Sequence, residues 1–60
     1  MGSRTNHLAQ AKKLRDRAEE CRDLAKIAQD EQVAASYMMI ADNYEQLAQE
    51  EMDLAMVYRD

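Results

Sequence analysis

The 60-residue chain is predicted to be all-α, an antiparallel hairpin of two helices, and three observations carry the prediction. Its hydrophobic residues, 47% of the total, are chiefly Ala, Leu and Met, with no Phe, Trp or Pro, which is the composition of helices. Apolar residues recur at alternating spacings of three and four along two long stretches, the mark of a heptad seam. Between the stretches lies Gln29-Asp30-Glu31, where Asp30 suits a helix N-cap and Glu31 sits well against the positive end of a following helix.

The first helix is expected over about residues 6–28, capped by Thr5 or Asn6. Residues 1–5 are read as a disordered N-terminal segment, in part an expression remnant, ahead of one helical domain over 6–60. Its seam is Ala11, Leu14, Ala18, Cys21, Ala25 and Ala28, with Leu24 beside it. So many alanines make this seam thin, and a partner helix can approach it closely. No Gly or Pro enforces the break at Asp30, since the only glycine is Gly2, and one continuous helix is the main structural alternative.

The second helix, about residues 31–58, carries two apolar stripes. Val33, Tyr37, Ile40, Tyr44, Leu47, Leu54 and Tyr58 form one; Ala34, Met38, Ala41, Ala48, Met52 and Ala55 form the other. A single helix of the same chain is not expected to cover both. A chain this short also buries only about 60% of its unfolded surface and needs a disulfide, a metal or oligomerisation to be stable. With one cysteine and one histidine, oligomerisation is the route left. The expected product is a homodimeric four-helix bundle, with Leu14, Ala18, Cys21, Tyr37, Ile40, Ala41, Tyr44, Leu47, Ala48 and Leu54 at its core or interface.

Charge is split along the chain. Residues 1–26 hold seven Lys and Arg against four acids, whereas residues 27–60 hold eight acids against Arg59 alone. In an antiparallel hairpin Lys12, Lys13, Arg15 and Arg17 are then expected to lie beside Asp42, Glu45, Glu50, Glu51 and Asp53.

The stretch Arg17-Ala18-Glu19-Glu20-Cys21-Arg22-Asp23-Leu24-Ala25, with Ala28, Asp30, Ala41, Tyr44-Glu45 and Leu47-Ala48, resembles a group of short bacterial helical-hairpin proteins of unknown function. Members share an RAEECRxLA start and a YExLA second half, and the likeness covers roughly residues 14–48. Many of them have Pro after the turn Asp, where this chain has Glu31, so the resemblance implies the hairpin but a less firmly fixed turn. It implies no activity, ligand or partner.

The polar residues add little chemistry. Glu51 falls on the first stripe between Leu47 and Leu54, and with the turn near residues 29 and 30 it lies across from about position 8. A contact with His7 or Lys12 is expected, from this chain or its mate, unless the open end simply hydrates it. His7 and Cys21 are about 21 Å apart along one helix and cannot share a metal. The Glu-x-x-His pairs of a di-iron bundle are missing, and no cofactor is expected.

Cys21 reads as a small apolar seam residue. Tyr37, Tyr44 and Tyr58 share a face but lack interleaved basic residues, which disfavours nucleic acid. No apolar run is long enough to span a bilayer, no signal peptide is evident, and the chain is expected to stay in the cytoplasm.

The function expected from these features is a non-catalytic, self-associating module with a structural or regulatory role. An adaptor or antagonist holding a target helix in a groove through exposed Met and Tyr groups, with Met38, Met39, Met52 and Met56 as the candidate partner surface, is the alternative, with an unidentified protein as its partner. Membrane-surface binding through the basic first helix is a remote one.

Overall fold

The computed structural model describes residues 3–58 and contains two helices, α1 (Ser3–Ile27) and α2 (Glu31–Val57), packed against each other as a hairpin. Asp30 makes the break. Its backbone is extended (φ −94°, ψ 126°), and its side chain accepts hydrogen bonds from the backbone N–H of Gln32 at 2.7 Å and Val33 at 3.3 Å. These are two of the donors that the first turn of any helix leaves without an intrahelical partner. No described residue has positive φ, which explains how a link of Ala28, Gln29 and Asp30 reverses the chain without glycine.

Both boundaries differ slightly from the sequence reading. α1 begins at Ser3, so neither Thr5 nor Asn6 caps it, and residues 3–5, expected to be disordered, are helical. Met1 and Gly2 lie outside the described residues. Nothing in Ser3–Asn6 breaks a helix, and the added turn runs alongside the end of α2, where Ala55 is only 2% exposed. α2 ends at Val57, and Tyr58 forms its C-cap, donating its backbone N–H to the Ala55 carbonyl.

The core is made of methyl groups. Among the described residues the buried ones are Ala11 and Ala18 of α1 and Ala41, Ala48 and Ala55 of α2. Between them stand the half-buried His7, Leu14, Cys21, Ala25, Ala28, Ala34, Tyr37, Tyr44 and Glu51. Counting by heptads from the contact of His7 with Glu51 places Leu14 opposite Tyr44, Cys21 opposite Tyr37, Ala11 opposite Ala48 and Ala18 opposite Ala41. Alanine at every seventh position of both helices lets the backbones approach closely.

The seam of α2 therefore runs between the two stripes seen in the sequence. It takes Ala34, Ala41, Ala48 and Ala55 from one, and Tyr37, Tyr44 and Glu51 from the other. Hydrophobicity alone favours Val, Ile and Leu over Ala, but a close-packed partner selects the small side chain, and that preference decides which way α2 faces. Ile40, Leu47 and Leu54 are consequently exposed within this chain.

Candidate interaction surface and polar cluster

Two broad sides flank the seam. Both helices are right-handed and they run antiparallel, so residues in equivalent heptad positions of α1 and α2 fall on the same side. On one side lie the residues four places after the seam alanines: Arg15 and Arg22 of α1, and Met38, Glu45 and Met52 of α2. The contacts here are polar. Arg22 forms ion pairs with Glu45 and Asp42, and the Arg15 guanidinium donates to the Met52 sulfur at 3.3 Å. The stems of these long side chains cover the alanine seam from this side.

The other side carries the residues that immediately precede the seam alanines. On α2 these are Val33, Ile40, Leu47 and Leu54, each 42% to 46% exposed. On α1 they are Gln10, Arg17 and Leu24, so the aliphatic content is concentrated on α2. The half-buried Tyr37 and Tyr44 lean toward this side, as do Leu14 and Cys21 from α1. The result is a continuous apolar strip along α2 with a shallow groove at its turn end, lined by Gln32, Val33, Ser36, Tyr37 and Ile40.

At the open end, His7 Nδ1 donates to Glu51 Oε1 at 2.8 Å, with both side chains 25% exposed. A carboxylate acceptor places the imidazole hydrogen on Nδ1. The His7 ring also stacks on Tyr58, with centroids 5.5 Å apart. Glu51 thus has a hydrogen-bonding partner at a position where a bare carboxylate would be costly. Lys12 is not part of this cluster: its ammonium bonds Asp16 one turn along α1, at 2.9 Å on the surface.

The charge complementarity expected between the helices is correspondingly smaller. Arg17 pairs with Glu20 on its own helix, whereas Arg22 and His7 reach across to α2. Local partners at i+3 and i+4 need less ordering of long side chains than partners on another helix.

Of the methionines, Met52 is half-buried by Arg15, whereas Met38, Met39 and Met56 are exposed. They do not form one patch, because Met38 lies on the arginine side while Met39 points away from the seam. Cys21 is a free, half-buried thiol. Among the described residues no three His, Cys, Asp or Glu side chains come together as a metal-binding group, and no helix is long and apolar enough to cross a membrane.

The aliphatic strip was visible in the sequence as part of a stripe. Its division from the tyrosines was not, because that depends on which line of α2 meets α1. No family model, curated protein or solved structure matches the chain.

Proposed function

We propose that this protein is a non-catalytic, self-associating helical module with a structural or regulatory role, and that the hairpin is half of its folded unit. One observation carries the reading: among the described residues every buried one is an alanine, while Leu24, Val33, Ile40, Leu47 and Leu54 remain substantially exposed along one side. Burying methyl groups contributes only about 0.8 kcal/mol each. That is little against a conformational entropy cost of about 1–2 kcal/mol per ordered residue. The larger side chains must be covered to supply the rest, and an exposed strip of this kind marks a protein–protein contact.

A lone thiol suits a reducing compartment, and we place the module in the cytoplasm on that basis.

Sedimentation equilibrium at micromolar concentration tests the proposal. The expected mass is at least twice the 6.9 kDa of one chain, with helical circular dichroism that weakens on dilution. A folded monomer at every concentration overturns it and would turn attention to a foreign partner helix on the same strip.

A further inference from the structure

We infer that the partner on the aliphatic strip is a second copy of this chain, seated with its α2 antiparallel to the first α2 about a two-fold axis level with Asn43 and Tyr44. The inference rests on the self-association reading and gives it a geometry.

Surface area fixes the size of the occupant. A folded protein of 6.9 kDa exposes about 4000 Å² by the usual mass scaling, whereas this chain exposes 4867 Å². The excess, roughly 900 Å², is close to the ~800 Å² each partner contributes to a standard stable interface. One further hairpin laid along the strip supplies it. The strip is also self-complementary: reversed end for end, Val33 meets Leu54 of the second copy and Ile40 meets Leu47, so all four aliphatic positions find aliphatic partners. The groove beside Val33, Ser36, Tyr37 and Ile40 has the i, i+3, i+4, i+7 spacing of a hole for a knob from a facing helix. In this pairing Leu47 and Leu54 of the second copy arrive at it.

Charge and polarity choose the orientation. The residues along the outer edge of the strip are Ser36, Asn43, Glu50 and Val57, only one of them charged. Antiparallel pairing sets Glu50 against the Ser36 hydroxyl of the second copy and Asn43 beside its own symmetry mate. The two Glu50 carboxylates are then about 21 Å apart along the helices. Parallel pairing of the two α2 helices would bring each Glu50 onto its copy. Packing α1 on the second α2 would lay Gln10 and Arg17 over Leu47 and Ile40, covering aliphatic groups with polar ones. The first rival sets like charges together, and the second leaves the aliphatic groups against polar ones. An asparagine pair at the axis also favours one register over its neighbours.

Disulfide trapping tests the geometry. In a Cys21→Ala background, Asn43→Cys is expected to give mostly disulfide-linked dimer in a glutathione buffer. Ser36→Cys and Glu50→Cys are expected to cross-link with each other when mixed, and neither with itself. The three positions are exposed in the hairpin, so circular dichroism should show unchanged helicity. Unmodified chain should form no dimer through Cys21, whose copies lie about 20 Å apart in this arrangement.

A chain that sediments as a dimer while Asn43→Cys stays reduced overturns the geometry and leaves self-association standing. Self-linking of Ser36→Cys, or dimers through native Cys21, overturns it in the same way. A monomer in sedimentation overturns both.

Discussion

Replacing Ala41 with leucine puts an isobutyl group where the structure leaves no accessible surface, since Ala41 and Ala18 opposite it are both 0% exposed. Leucine is nearly as good a helix former as alanine and is more hydrophobic, so α2 alone should not suffer. The seam should. Overfilling a packed site costs about 1–3 kcal/mol, because the added carbons force the helices apart or the side chain out of its preferred rotamer. For a domain of this size each kcal/mol moves the melting temperature by about 4–8 °C. A loss of roughly 4–24 °C is therefore expected in a thermal melt followed by circular dichroism. Wild type and variant must be compared at one protein concentration, since association shifts apparent stability. Ala35→Leu, on an exposed position of the same helix, serves as control and should change stability by less than about 0.5 kcal/mol. If Ala41→Leu melts at or above the wild-type temperature, the helices are not closely apposed at this layer and the account of the alanine seam is wrong.

Two further outcomes follow from single contacts. Asp30→Ala removes the side chain that accepts from Gln32 and Val33, and should cost about 0.5–2 kcal/mol in urea denaturation, while Asp30→Asn, which keeps an acceptor oxygen, should recover most of it; equal stability of Asp30→Ala and wild type would remove Asp30 from its role at the turn. His7→Ala and Glu51→Ala should each destabilise by about 1 kcal/mol. Combined, they should show a coupling of about 0.5–1.5 kcal/mol, and strict additivity would mean that the pair does not interact in solution.

Much of the hairpin could be read from residues alone, and the reasons are local. Asp30 is an N-cap by side-chain chemistry, so the break needs no knowledge of the rest of the molecule. The line Ala11, Leu14, Ala18, Cys21 and Ala25, running on to Ala28 in the link, is the longest apolar line among the described residues of α1, so it had to face a partner. α2 offered more than one line, and there the sequence was ambiguous. Tyr37 and Tyr44 could be grouped with Val33 and Ile40, or with Ala34 and Ala41; the thinness of α1 decides for the alanines, and that is a property of the pair. The start of α1 was obscured for a different reason. Thr5 and Asn6 are good caps in isolation, yet covering Ala55 at the far end of α2 requires helix beyond them. Lys12 and Arg17 likewise have acids in both helices to choose from, and proximity along their own helix prevails.

The unlike character of the two broad sides also bears on how large an assembly of this chain can grow. A rod that is adhesive all round recruits neighbours without limit and makes fibres. Here arginine, glutamate and methionine plate one side, and the aliphatic residues occupy the other. An encounter that consumed the aliphatic side would leave outward a face of charged groups with only scattered methionine and aliphatic side chains between them, and growth of the proposed assembly would stop at a closed particle.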